Sequence, residues 1–124
     1  MGQPNTSLRV LIADYEPEVR RALQLVCKEG LGLTIVGEAA DSAQLLSSIK
    51  VASPDILLLE WGLPGMTPSE LMAALQTEES LNIVVIGGRP EIRAEALRAG
   101  AKGFIYKGNP PDELLNLLRT FLEV

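Results

Sequence analysis

The chain has 124 residues, 47% of them hydrophobic and 22% charged, with a formal net charge of −5. That length suits a single domain able to bury roughly 65–70% of its unfolded surface, and the composition is that of a globular protein. The acidic balance offers no basic stripe for nucleic acid, no apolar run nears the ~20 residues of a membrane span, and no signal peptide opens the chain.

Two residue counts narrow the chemistry further. A single cysteine, Cys27, excludes an internal disulfide and fits a reducing, cytoplasmic setting. Histidine is absent, which removes Ser-His-Asp and Cys-His catalysis, most zinc sites and any phosphohistidine carrier. Activity must rest on carboxylates, lysine, hydroxyls or backbone.

In chain order, residues 1–7 read as a flexible lead-in and residues 8–124 as the domain. Leu8 to Ala13 is a first strand, closed by Asp14-Tyr15-Glu16-Pro17. Val19, Ala22, Leu23, Val26 and Cys27 then fall on one helical face, which Gly30 and Gly32 end. Cys27 in that stripe reads as a small buried hydrophobe. Leu33 to Ala39 is a second strand, and Asp41 to Gln44 a capping box opening a helix that buries Leu45, Leu46 and Ile49.

Ile56 to Leu59 are four consecutive aliphatics, the mark of a strand covered on both faces. They leave Glu60 at the carboxyl end, below a loop broken by Gly62, Pro64 and Gly65. Thr67-Pro68-Ser69-Glu70 is a second capping box, with proline in the first turn, and starts a helix with Leu71, Ala74 and Leu75 inward. Ile83 to Ile86 is a fourth strand ended by Gly87-Gly88-Arg89-Pro90. A short helix through Ile92, Ala96 and Ala99 stops at Gly100. Gly103 to Lys107 is a fifth strand, and Asn109-Pro110-Pro111-Asp112 caps a last helix with Leu114, Leu117, Leu118 and Phe121 inward.

Five strands alternating with five helices over short connections imply an α/β fold: a doubly wound, five-stranded parallel sheet in a three-layer, flavodoxin-like sandwich. Ligands and chemistry collect at the carboxyl ends of such strands. Asp14 and Glu16 follow the first strand, Glu60 the third, Gly87-Gly88 the fourth and Lys107 the fifth. An acidic cluster with one lysine is therefore expected at one rim, where it either holds a hard divalent cation or shifts its members' pKa values. Taken singly, Asp14 serves equally as a helix cap and Lys107 as a snorkelling surface lysine.

The segments LIADYEPEVRRAL, PDILLLEWGLPGM, VVIGGRPEIRAEALRAGAKGF and IYK, in that order and spacing, resemble the receiver domain of two-component response regulators. This is the CheY-like fold with strand order 2-1-3-4-5, and the resemblance covers about residues 8 to 122. The stretch ADYEPEVRR is most similar to receivers that precede a helix-turn-helix output module.

The resemblance implies phosphoryl transfer from a phosphohistidine partner to an aspartate after the third strand, with a divalent cation held by an acidic pair after the first. A Thr or Ser after the fourth strand grips the phosphoryl group, a lysine after the fifth neutralises it, and an aromatic three residues earlier reports the change.

Carried over position by position, Asp14 matches the first acid and Lys107 the lysine. Phe104 takes the aromatic position and Pro64 the proline after the acceptor. The second acid falls on Tyr15, a phenol of pKa ~10 that is neutral at pH 7 and a poor magnesium ligand; Glu16 is offset by one residue. The acceptor position holds Glu60, one methylene longer than aspartate, where a ~1 Å misalignment costs ~10²-fold. The Thr/Ser position holds Gly87, without a hydroxyl, and Pro68 replaces a usual glycine.

The expectation is thus a pseudo-receiver: a protein-interaction module that is not an enzyme and whose state phosphate does not set. Its partners, a sensor kinase or a downstream regulator, would meet the fourth helix, fifth strand and fifth helix, with Arg93, Lys102, Tyr106 and Arg119 as candidate contacts. A homodimer through this face is also expected to be accessible, with no direct nucleic-acid or membrane binding. No cofactor is expected beyond weak Mg²⁺ binding, which would use Asp14, Glu60 and Gly62. The alternatives are a conventional Mg²⁺-dependent phosphoacceptor, or a nucleotide- or anion-binding domain built on Gly87-Gly88 and Arg89.

Overall fold

The computed structural model describes residues 8–122; the expected lead-in over residues 1–7 lies outside the described residues. Five strands, β1 (Arg9–Ala13), β2 (Thr34–Ala39), β3 (Ile56–Glu60), β4 (Asn82–Gly87) and β5 (Gly103–Tyr106), form one sheet in the order β2-β1-β3-β4-β5, every pair parallel. The helices α1 (Pro17–Leu31), α2 (Ser42–Ala52), α3 (Pro68–Leu75), α4 (Ile92–Arg98) and α5 (Pro111–Leu122) cover both faces. This is the doubly wound sandwich expected from the sequence. Among the described residues no helix is long and apolar enough to cross a membrane.

Strand alternation divides the core in two. Leu11, Ala13, Leu57, Leu59, Val85 and Phe104 point to one face, where α2, α3 and α4 bring Leu45, Met72, Leu75, Ile92 and Ala96. Val10, Ile12, Ile56, Leu58, Val84, Ile86 and Ile105 point to the other, under Cys27 of α1 and Leu114 and Leu118 of α5. The central β3 is inaccessible from Ile56 to Leu58, and each such aliphatic stabilises the fold by roughly 1.5–3 kcal/mol on burial.

Local chemistry sets the helix ends. Thr67 and Glu70 form the reciprocal capping box read from the sequence, with the proline in the first turn. Asp41 accepts from the Gln44 N–H, but Gln44 returns its bond to the N–H of Ala40, one residue earlier than a capping box requires. Asn109 does not cap α5 through its own oxygen; its amide donates to Glu113. Gly30 does not stop α1. It lies inside the helix, where a Cβ would stand 2.6 Å from Leu115, and the helix ends at Gly32, whose φ of +65° suits glycine. Ala22, placed on the inner stripe by its spacing, is exposed, and Val19, Leu23 and Val26 are only half-buried.

One contact fixes the loop above β3. The Ser42 N–H donates to the Pro64 carbonyl and the Ser42 hydroxyl accepts from the Met66 N–H, so the start of α2 is stitched to this loop. Gly65, at φ +111°, makes the approach possible, because a Cβ there would lie 2.1 Å from the Ser42 hydroxyl.

Truncating the centre of the sheet tests this account. Leu58→Ala removes a side chain with no exposed surface and is expected to cost about 2–5 kcal/mol, read as a fall in the urea midpoint with an unchanged denaturant slope.

Candidate functional site

The site grows out of the same alternation. On the α1 and α5 face, Val10 and Ile12 are followed two residues on by Asp14, Ile56 and Leu58 by Glu60, and Ile105 by Lys107. Each inward row therefore continues, past its last apolar residue, into one charged group at the carboxyl rim. The neighbouring backbone is held by parallel-strand bonds: Asp14 N–H to Ala39 carbonyl, Trp61 N–H to Ile86 carbonyl and Lys107 N–H to Gly87 carbonyl, each 2.9 Å.

Asp14 is 1% exposed. Its Oδ1 accepts from the Glu16 N–H at 2.8 Å, and its Oδ2 lies 3.6 Å from the Lys107 Nζ. Asp14 does not itself cap α1: Glu16 is the N-cap residue and makes no capping bond through its side chain. Arg20 braces the turn, donating to the Asp14 carbonyl at 2.6 Å and to Glu38 at 2.8 Å. Glu60 has a side chain only 10% exposed. Its Oε2 accepts from the Gly62 N–H at 3.2 Å, and its buried Oε1 is ion-paired with Lys107.

Lys107 thus bridges two nearly buried carboxylates. Desolvation works against its charge, but the hydrogen bond and attraction of Glu60, reinforced by Asp14 and Glu16, outweigh that penalty and hold its pKa above the ordinary lysine value.

The remaining sequence-derived positions lie elsewhere. Tyr15 is 53% exposed, and Glu16 is exposed on the rim. Gly87 and Phe104 are on the opposite face of the sheet, against α4. Phe104 is buried, and its ring occupies the space a side chain at position 87 would need: a Cβ on Gly87 would lie 3.0 Å from Phe104 and 3.1 Å from Ile92. Gly88 is open, with nothing within 4 Å of its missing Cβ. Arg93, Lys102 and Arg119 are exposed, whereas Tyr106 is half-buried. The residues the sequence did not flag are Arg20 and Ser42, whose roles depend on partners 18 and 24 residues away.

The donor set does not fit a hard divalent ion. Such a site needs several oxygen ligands around one cation, yet both inward carboxylates converge on the Lys107 ammonium, and a half-exposed phenol stands at the second acidic position. Among the described residues no group of three acidic or thiol side chains is placed to hold a metal.

Two outcomes follow from this geometry. A lysine pKa raised on folding contributes stability that is complete below the unfolded value of ~10.4 and is lost as pH rises through the higher folded value. Wild-type stability, followed by urea denaturation from pH 8 upward, is expected to fall across that alkaline window. Lys107→Met is expected to lack this limb and to be less stable at pH 7 by about 1–3 kcal/mol, since it strands buried acceptors.

On the other face, Gly87→Ala is expected to cost about 1–3 kcal/mol through overpacking. Combining it with Phe104→Leu should recover part of that loss, a coupling that a double-mutant cycle reads directly.

The chain matches the response regulator receiver domain over residues 10–119. The nitrate/nitrite response regulator protein NarL of Escherichia coli (strain K12) is 32% identical over 113 residues, covering 88% of this chain and 52% of the relative. The transcriptional regulatory protein YxjL of Bacillus subtilis (strain 168) is 30% identical over 117 residues, 91% of this chain and 53% of the relative. The chain spans about half the length of the curated relatives it matches. A two-component response regulator of the LuxR family from Aurantimonas sp. SI85-9A1 superposes with a TM-score of 0.84 at 25% identity, over 94% of this chain and 85% of that one. The response regulator domain of Thermotoga maritima CheB, at 22% identity, shares the fold with a TM-score of 0.83 over 95% and 98% of the two chains. With strand order, family match and relatives in agreement, the chain belongs to the response regulator receiver domain family and is similar to the receivers of LuxR-family regulators.

Proposed function

We propose that this receiver domain works as a phosphorylation-independent protein-interaction module, held in one state by the Glu60–Lys107 pair. The observation that carries the reading is the engagement of the acceptor-position carboxylate. One oxygen of Glu60 is buried against the Lys107 ammonium and the other accepts from the Gly62 N–H. A phosphoryl donor would have to displace both partners and meet a carboxylate one methylene longer than aspartate. Positioning supplies most of the rate in phosphoryl transfer, so this departure is costly.

Two further features support the reading. Position 87 has no hydroxyl to hold the transferred phosphoryl oxygens. Tyr15 replaces the carboxylate that would complete a metal site, which leaves Lys107 as the internal cation and no Mg²⁺ requirement. Protein partners, a sensor kinase or a downstream regulator, would read the surface of α4, β5 and α5. Arg93, Lys102 and Arg119 are exposed there, and Phe104 is packed inward beneath it.

Incubation with acetyl phosphate and Mg²⁺, followed by intact-mass analysis, tests the reading. No stable adduct of ~80 Da is expected, and the fluorescence of Trp61, which adjoins Glu60 in the chain, should not respond to Mg²⁺ alone. Stoichiometric labelling at Glu60 would restore the conventional phosphoacceptor in its place. Glu60→Asp is expected to remain unlabelled, because Tyr15 and Gly87 still lack the carboxylate and hydroxyl that the transfer uses.

A further inference from the structure

Beside Lys107, helices α1 and α5 leave a gap. Toward their carboxyl-terminal ends they pack closely, with Leu115 against Gly30. Toward their amino-terminal ends they part, and a groove of about 380 Å³ opens between Val19, Ala22 and Leu23 of α1, Ile105 of β5, and Pro110 and Leu114 at the start of α5. Packed interiors leave few such voids, and this volume falls within the roughly 300–1,000 Å³ of small-molecule pockets. Along α1 the lining runs from Glu18 to Val26, about 12 Å at 1.5 Å per residue. A fused ring system spans that length, whereas a docked helix of average size, about 17 Å long, overruns it.

The charges around the groove narrow the chemistry of an occupant. The charged residues that line it are Glu18 and Lys107. The Lys107 ammonium is already engaged by Glu60 and Asp14, and Glu18 has no ion-pair partner among the described residues. Glu16 precedes α1, and Asp112 and Glu113 stand in the first turn of α5, all three exposed. Glu113 accepts from the amide of Asn109, itself a lining residue. The basic residues of these helices are turned or placed away. Arg20 is paired with Glu38, and Arg119 is in the last turn of α5. Arg21 and Lys28 lie roughly 130° and 150° around α1 from the centre of the lining stripe, at about 100° per residue. An apolar floor below carboxylates that no cation neutralises favours a positively charged apolar molecule and repels an anionic one.

We propose that the groove between α1 and α5 is a binding site for a small organic cation, an apolar ring system bearing a protonated amine. The rings lie over Ile105 and Leu114 between Val19 and Pro110, and the amine faces Glu18. The site does not require the phosphorylation-independent reading of Glu60: labelling of Glu60 by acetyl phosphate would sink that reading and leave this site standing.

Titration of the intact chain with three probes, followed by two-dimensional amide NMR, tests the proposal. The probes are naphthylmethylamine, naphthylmethanol and naphthylacetate, which share one ring system and are cationic, neutral and anionic at pH 7. The amine is expected to give saturable shifts confined to the amides around Val19, Ala22, Ile105 and Leu114. It should bind at least about ten-fold more tightly than the acetate, with the alcohol between them, and added salt should narrow the gap. Glu18→Gln should narrow it as well. Ala22→Trp, a change at an exposed position, should fill the groove and abolish binding of all three probes, while far-UV circular dichroism and the thermal midpoint stay unchanged. Absence of saturable shifts, shifts centred on α4 and β5, or binding indifferent to Ala22→Trp would each overturn the site. Equal affinity for the three probes would overturn the cationic class. A chain that dimerises through the groove and takes up no amine, seen by sedimentation equilibrium of the wild type and Ala22→Trp, would assign the groove to a second copy and overturn the proposal too.

Discussion

A lysine ammonium set against two nearly buried carboxylates is the constraint around which this rim is organised. β1 and β3 are adjacent, so Asp14 and Glu60 sit on neighbouring strands about 4.8 Å apart. Two such carboxylates repel strongly where water is scarce, and a cation between them turns that repulsion into attraction. Lys107 comes from β5, beyond β4, and must reach over the end of the intervening strand. A long unbranched side chain is suited to that span. The pair thus depends on the strand order and on alternation.

The sheet separates this charged rim from the second altered region. Strand alternation puts Glu60 and Lys107 with the α1 and α5 layer, and Gly87 and Phe104 with the α2, α3 and α4 layer. A side chain reaching from position 87 would join these regions. Glycine leaves no such arm, and the Phe104 ring with Ile92 takes up the volume. Packed interiors deform little and pass on changes through discrete rearrangements of neighbouring side chains. Here position 87 offers no side chain to link the rim with the packing of Phe104 and Ile92 under α4.

The strands were legible because short apolar-rich runs between turn residues admit few other readings; both ends of all five strands fall within one residue of their expected positions. The rim residues were legible for the same reason, since alternation counts forward from the core to Asp14, Glu60 and Lys107. The sequence was less informative wherever the outcome depends on how closely a second element approaches. Gly30 reads as a stop, yet serves as the contact that lets α5 lean on α1. Ala22 shares the period of the inner stripe, yet faces the groove where the two helices part. Gln44 has the spacing of a capping box, but its oxygen finds the N–H of Ala40. Asn109 has the identity of a cap, but its amide is drawn to Glu113. Periodicity gives the direction in which a residue points; it does not say what stands there.

A domain of this kind changes state only if something distinguishes its states energetically. This chain has few internal means of doing so at neutral pH. It contains no histidine, burial pushes the Cys27 thiol up to about 11, and the carboxylates around Lys107 hold its pKa above the ordinary value, so these groups keep one protonation form near pH 7. The rim carboxylate at the acceptor position already has its partner within the chain. On the phosphorylation-independent reading proposed above, a shift in population comes from differential contacts made by a binding partner, and its size is limited to that partner's difference in affinity for the two states.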